Sequence, residues 1–418
     1  MTLPVPRQIG KYPVLRELGH GTTGYVYLAR DPFAGREVAI KQVRNEDSAN
    51  PQDNKMFRKA FLNEAALAGK LSHPHIVGIL DAVAEDNISY VVMEYVDGVT
   101  LDKYCSPDNL LALGKVVEII FKCSRALEFA NRNGVIHRDI KPANILVQKN
   151  GDIKISDFGS ALLRDAKETQ LTGVGSPLYM SPEQLREQEV TLQTDIYSLG
   201  VVMFQMLTGK LPFNAASKPS LIYQIINIDA LPPSAHRSNL PAALDNIVSC
   251  AMQKDLNLRY RNWSDFGRDL AGAFKTLAMP SEDIPEAEKF NTIKSLPFFR
   301  DFQDVQIWEA LRITTWEKLP KDSVIIREGE VGDCFYILTA GQVTVRREGK
   351  LLNTLNPGDC FGEMLYFRST AAQRKTSVIA AMPITVMEIK ASMLNKASFA
   401  CQNQFNQAFL SILIARHG

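Results

Sequence analysis

The apolar residues of this chain change their spacing repeatedly, which excludes a single uniform architecture. Up to about residue 96 they fall in short β-branched or aromatic runs, Tyr25-Val26-Tyr27-Leu28, Val38-Ala39-Ile40 and Tyr90-Val91-Val92-Met93, which read as strands. Residues 55–71 interrupt them with helical periodicity and no proline. From about 110 the texture is helical: 110–133 and 195–208 are long and apolar at helical spacing. Around 276–290 the chain reads LAMPSEDIPEAEKFN, where proline, serine and acidic residues replace periodic apolar ones, so a linker is expected there. Strand-like runs then return at 323–327, 335–339, 342–347, 377–381 and 384–389, punctuated by glycines at 329, 332, 341, 349 and 358. A last helical stretch carries Phe405, Phe409, Ile412 and Leu413 on one face. Blocks of strands and blocks of helices, segregated along the chain, predict an α+β architecture, and 418 residues suggest about two to three domains.

Composition narrows the class of partner. With 47 basic and 46 acidic residues and a net charge of +1, nothing global favours a nucleic acid or an anionic membrane. The six cysteines, Cys105, Cys123, Cys250, Cys334, Cys360 and Cys401, include no CxxC pair. They read as free, mostly buried thiols in a reducing compartment. No run of about 18 apolar residues occurs, and the first residues, MTLPVPRQIG, lack an apolar stretch of signal-peptide length. A cytoplasmic protein is expected.

The segment 137–159 reads HRDIKPANILVQKNGDIKISDFG. It sets a proton acceptor (Asp139), a cation suited to phosphate (Lys141) and two hard oxygen ligands (Asn144, Asp157) in the order that phosphoryl transfer requires. This string resembles the catalytic and metal-binding segments of eukaryotic-type serine/threonine protein kinases. The resemblance covers roughly residues 8–275. It implies a bilobal kinase fold with a β-rich N-lobe at 8–96 and a helical C-lobe at 97–275. It also implies ATP as phosphoryl donor, Mg²⁺ on Asn144 and Asp157, and protein Ser/Thr hydroxyls as acceptors. The KPAN string, with Lys141 two residues after Asp139, favours serine/threonine over tyrosine transfer within the family.

Residues Gly19-His20-Gly21-Thr22-Thr23-Gly24-Tyr25-Val26 match G-x-G-x-x-G-x-V. Glycines let a backbone close over phosphates where a Cβ would obstruct. The following Val38-Ala39-Ile40-Lys41 places Lys41 for the α and β phosphates, and Glu64, in the helix before it returns to strand, matches the family's carboxylate partner for that lysine. The resemblance seats adenine among Leu18, Val26, Ala39, Met93, Val96 and Leu146, with Glu94-Tyr95-Val96 as hinge. His73 and His75, flanking Pro74, are expected in a loop that packs back on the α lobe.

The stretch 160–183 resembles an activation loop that ends GSPLYMSPE, with Ser176 and Ser181 where the family usually has threonine and alanine. Glu183 is expected to pair with Arg259, and Asp195 to hold the backbone of the catalytic loop. Thr172, four residues before Ser176, and Thr169 as second choice are candidate phosphorylation sites, with Arg138 as the pairing cation.

After a linker at 276–287, residues 288–418 are similar to cyclic-nucleotide-binding domains, a β-roll with flanking helices. The pattern EGEVGDCFYIL at 328–338, with Gly341 following, carries the likeness. Phe361-Gly362-Glu363 and Arg374-Lys375-Thr376-Ser377-Val378 match the parts of the phosphate cassette, which implies a site for cyclic AMP or cyclic GMP at Gly362, Glu363, Arg374 and Ser377. The cassette departs from the family pattern. Its span from Glu363 to Arg374 is longer, Gln373 stands where proline is common, and Leu365 replaces a small residue. Three readings of this domain stay open: a ligand sensor, a docking module that senses nothing, and a redox sensor through Cys334 or Cys360. Oligomeric state and protein substrates are not readable.

Overall fold

The computed structural model of the protein describes residues 5–21, 24–43, 51–84, 88–158, 177–277, 284, 286–363 and 373–417, with some residues of three helices given by backbone alone. The chain forms two compact units, Met1–Met279 and Pro280–Gly418.

The first unit opens with β1 (Gln8–Ile9), β2 (Tyr12–Gly21), β3 (Gly24–Arg30) and β4 (Glu37–Val43), then α1 (Pro51–Ala68), β5 (Ile79–Ala84) and β6 (Ser89–Glu94). These strands make an antiparallel sheet in the order β1-β2-β3-β4-β6-β5. The strand alternation seen in sequence places Tyr27, Ala29, Val38, Ile40, Tyr90 and Val92 in one buried cluster. At the β2–β3 turn, Gly24 has φ +147, and a Cβ there would lie 1.9 Å from the Gln42 carbonyl oxygen of β4. Only glycine fits so close to the neighbouring strand.

Next come β7 (Gly98–Thr100), α2 (Leu113–Arg132), β8 (Ile145–Gln148) and β9 (Ile153–Ile155). The three strands form a small sheet in the order β7-β8-β9. Then follow α3 (Pro182–Leu185), α4 (Leu192–Thr208), α5 (Lys218–Asn227), α6 (Ala242–Ala251) and α7 (Trp263–Thr276). Helix α4 is buried almost throughout, as its unbroken apolar run requires. It begins three residues before Asp195, because Thr191 rather than Asp195 caps it, its side chain accepting from the Gln193 amide. Gly200 lets α4 and α6 approach: a Cβ there would sit 2.8 Å from the Ala251 Cβ.

The loop after α1 packs back on the helical part. Ile76 bridges Ile155 of β9, His75 Nε2 lies 3.0 Å from Asp152, and the His73 ring packs on Phe129 of α2. The two histidines therefore serve packing. Among the described residues no group of His, Cys, Asp and Glu is arranged to hold a metal ion.

The second unit runs α8 (Glu286–Ser295), α9 (Asp304–Arg312), β10 (Thr314–Leu319), β11 (Val324–Ile326), β12 (Cys334–Ala340), β13 (Val343–Arg347), β14 (Lys350–Leu355), β15 (Cys360–Phe361), β16 (Ser377–Ala380), β17 (Ile384–Lys390), α10 (Ala391–Leu394) and α11 (Phe399–His417). Two antiparallel sheets, ordered β10-β17-β12-β15 and β11-β16-β13-β14, form a β-roll. Strands β10 and β14 escaped the sequence reading. Both are edge strands, and β14 is exposed along most of its length, so neither shows the alternation of a half-buried strand. Phe298, Phe299, Phe302, Phe335, Phe405 and Phe409 interlock edge to face and seat α11 on the roll. Phe405 and Phe409 are fully buried, together with Cys401 one turn earlier. Ile412 is half-buried, and the Leu413 side chain lies outside the described residues.

Of the six cysteines, Cys105, Cys123, Cys360 and Cys401 are buried, and Cys250 and Cys334 are half-buried, all as free thiols. Among the described residues no helix is long and apolar enough to cross a membrane.

Candidate active site

The loop from His137 to Asn144 is held from beneath by the first turn of α4. Asp195 accepts from two consecutive backbone amides, Oδ2 from His137 and Oδ1 from Arg138, each at 2.7 Å. Burial raises the Asp195 carboxyl above the ordinary range, and its neighbours His137 and the two amides offset part of that rise. Arg138 has φ +63 and Asp157 φ +62, conformations that cost a non-glycine residue about 1–3 kcal/mol each. The Asp195 bonds secure the first. The second is locked by His137, whose Nε2 lies 2.8 Å from the Ser156 carbonyl and whose ring meets Phe158 edge-on at 4.6 Å.

Asp139 sits 16% exposed, its Oδ2 accepting from Lys141 Nζ at 2.8 Å and from Asn144 Nδ2 at 3.1 Å. Asn144 is buried and its Nδ2 also donates to the Asp139 carbonyl at 2.8 Å. With Nδ2 engaged, the amide presents Oδ1 away from that carboxylate.

Lys41 lies in β4 between Val26 of β3 and Val91 of β6. Its Nζ donates to Asp157 Oδ1 at 2.8 Å. Burial pushes the Asp157 carboxyl up, but the Lys41 ammonium outweighs it, aided by His137 and Lys141, and the group is held below the usual carboxylate range. The side chain of Glu64, expected on Lys41, lies outside the described residues, as do Thr22, Thr23, Thr169, Thr172 and Ser176. Gly19, His20 and Gly21 end β2, where exposed His20 bonds Glu17 at 2.9 Å. Tyr25 begins the returning strand.

Beside these polar groups is an apolar cluster: Ala39, Val77 and Met93 are buried, with Leu18, Val26, Val96 and Leu146 partly buried against them. Glu94, at the start of the expected hinge, is held by Lys154 Nζ at 2.9 Å. An apolar cluster next to a few charged groups suits a small planar ligand with a charged tail.

Glu183 and Arg259 form a buried bidentate pair at 2.8 and 3.2 Å. Arg259 further donates to the Gln193 and Gln253 carbonyls. Burial opposes ionisation of Glu183, and the Arg259 guanidinium reverses it, leaving the carboxyl below its ordinary value. One contact was missed at the sequence level. Gln184 Nε2 donates to the Arg138 carbonyl at 2.9 Å. The available signal was the S-x-x-Q string at 181–184, an N-terminal capping pattern.

In the second unit Arg374 is 9% exposed. Its Nη2 donates to the Cys334 carbonyl at 2.6 Å and Nη1 to the Gly362 carbonyl at 3.2 Å. Among the described residues it has no carboxylate partner. Gly362 has φ +82, and a Cβ there would lie 2.6 Å from Nη1, so glycine both permits the turn and leaves room for the guanidinium. Glu363 is 3% exposed. Ser377 Oγ accepts from the Glu328 amide at 3.0 Å, which ties it to the turn before β12. Leu365 lies outside the described residues. Burial raises the Cys334 thiol above its ordinary value, which disfavours the thiolate that oxidation needs and counts against the redox reading.

Comparison with known proteins fits this geometry. The family model described as protein kinase domain matches residues 12–263, and that described as cyclic nucleotide-binding domain matches 316–399. The chain belongs to the protein kinase family and carries a cyclic-nucleotide-binding domain after its kinase domain. Among its relatives, it is 39% identical over 296 residues to the serine/threonine-protein kinase PrkC of Bacillus subtilis, covering 70% of this chain and 45% of the relative. It is 38% identical over 296 residues to the serine/threonine-protein kinase PknB of Mycolicibacterium smegmatis, covering 69% and 47%. For PknB of Mycobacterium tuberculosis the identity is 37% over 290 residues, covering 68% and 45%. The chain thus spans about half the length of the curated relatives it matches.

Proposed function

We propose that this protein is a serine/threonine protein kinase that transfers the γ-phosphate of ATP to hydroxyls of protein substrates. One observation carries the reading: Lys41 of the sheet and Asp157 after β9, distant in sequence, meet at 2.8 Å beside the Asp139–Lys141–Asn144 cluster. Adenine occupies the apolar cluster around Ala39 and Met93, and the phosphates run toward Lys41. The donor set suits Mg²⁺: an ionised carboxylate on Asp157 and an amide oxygen on Asn144 are hard ligands. Bound there, Mg²⁺ supplies charge neutralisation for the transferring phosphoryl group.

The chain's own groups do the rest. Asp139 orients the acceptor hydroxyl and takes its proton as the bond to phosphorus forms. Its role is positional more than basic, since an aspartate is a weak base near neutral pH. Lys141, 2.8 Å from Asp139, supplies a cation beside that carboxylate for the transferring phosphate. Asp139→Asn, assayed for phosphate incorporation into itself and a generic Ser/Thr acceptor, tests the reading. Unchanged labelling by that variant would sink it.

Phosphorylation at Thr172 or Thr169, paired with Arg138, orders the activation loop in this reading. Thr172→Ala then lowers autoactivated turnover, and full turnover in that variant removes the idea.

The second unit binds a phosphate-bearing ligand, cyclic AMP or cyclic GMP, at Arg374, Glu363 and Gly362, and this regulates the kinase. The support is a buried guanidinium whose partners among the described residues are all neutral, the carbonyls of Gly362 and Cys334 and the Cys334 sulfur, an arrangement that favours an anionic ligand. The same bonds favour a second reading, in which Arg374 simply braces the β-roll and the domain docks a partner.

A further inference from the structure

We infer that Gln184 is a positioning residue for phosphoryl transfer, acting through the backbone that carries Asp139. The inference rests on the kinase reading above. The peptide joining Arg138 to Asp139 is gripped at both ends. Its carbonyl accepts from Gln184 Nε2 at 2.9 Å, and its N–H faces His137 Nδ1 at 3.3 Å. The preceding amide of Arg138 is held by Asp195. Arg138 is in the left-handed region, where a non-glycine residue stays only if its surroundings hold it. Gln184 therefore helps secure a peptide whose tilt sets the direction of the Asp139 side chain.

Gln184 is itself immobilised. Its Oε1 accepts from the Ser181 amide at 3.0 Å, and its own amide donates to Ser181 Oγ at 3.3 Å. This capping box opens α3. The adjoining Glu183 is fixed by Arg259. The end of the activation segment and the catalytic loop are thus joined, through a side chain reaching 46 residues back along the chain. A misplacement of the Asp139 carboxylate by about 1 Å is costly in rate.

The capping box supplies a discriminating test. Glutamate serves at its third position as well as glutamine, so Gln184→Glu keeps the cap and the side-chain shape but replaces the donor to the Arg138 carbonyl with an oxygen. At pH 8 the expected kcat is about tenfold below wild type, with KM for ATP unchanged. As the pH is lowered toward 6, the buried carboxyl takes up a proton and donates again, so the ratio of variant to wild-type kcat rises. Gln184→Met, which loses donor and cap together, shows a loss that pH does not relieve. Equal kcat for wild type and Gln184→Glu at pH 8, or identical pH-independent losses in both variants, would overturn the inference. Wild-type protein that incorporates no phosphate would instead overturn the kinase reading beneath it.

Discussion

Lys41 and Asp157 are 116 residues apart in sequence and 2.8 Å apart in space. The pair joins β4, a middle strand of the antiparallel sheet, to the segment that follows β9, and the Lys41 ammonium helps hold the Asp157 carboxyl below its usual range. Replacing Lys41 by Met is expected to lower kcat by at least about a hundredfold, the scale on which a preorganised electrostatic group acts. Steady-state phosphate incorporation checks this. The pair also has a pH signature. Because the folded-state pKa of Asp157 is depressed, its contribution to stability is present above the unfolded value, about 3.9, and is lost as the pH falls through the lower folded value. Lys41→Met should flatten that acid limb in denaturation curves taken at several pH values.

Arg259→Ala leaves the Glu183 carboxylate buried without its cation. The expected loss is about 3–5 kcal/mol of stability, read by chemical denaturation near pH 7. Adding Glu183→Gln to that variant should restore part of the loss, since the uncompensated charge is then gone. A double variant no more stable than Arg259→Ala would contradict this.

Lys254 is a half-buried base to which, among the described residues, no carboxylate is hydrogen-bonded, although Asp229 acts on it from a distance. Its ammonium donates to the Ile225 carbonyl at 2.6 Å and to the Tyr197 hydroxyl at 3.1 Å, and stands 4.3 Å from the Phe213 ring centre. Burial lowers its pKa to about 8. Between that value and the unfolded one near 10.4 the unfolded chain holds more protons than the folded one. Stability attributable to this group therefore rises with pH across that window. Relative to Lys254→Met, the wild type should gain stability between pH 8 and pH 10, a difference measurable by urea denaturation of both proteins in matched buffers.

Arg374→Ala should abolish the heat of cyclic AMP or cyclic GMP binding to the full chain, a loss of about 30-fold to several thousandfold in affinity for a buried charge partner. Gly362→Ala should weaken binding too, because its Cβ would collide with Nη1 of Arg374. Calorimetry silent with both nucleotides for the wild type, alongside an unperturbed kinase, would favour the docking reading.

The order of chemistry along the chain was legible without coordinates. The hydrophobic rhythm of sheet, helix and β-roll follows from residue types at given spacings, because local periodicity is written in the linear order; the Glu183–Arg259 pair and the hold of Asp195 on the catalytic loop are expected only through the resemblance to protein kinases. What only the tertiary structure decided was how distant backbone groups are satisfied. The S-x-x-Q spacing marks Gln184 as a capping residue, but no spacing announces that its side chain reaches the Arg138 carbonyl, that Arg138 and Asp157 are both left-handed, or that Arg374 is held by the carbonyls of Cys334 and Gly362. Every residue type carries the same backbone carbonyl, so the sequence has no letter for a backbone acceptor. Its partner emerges only once packing has removed water and left that oxygen to be matched.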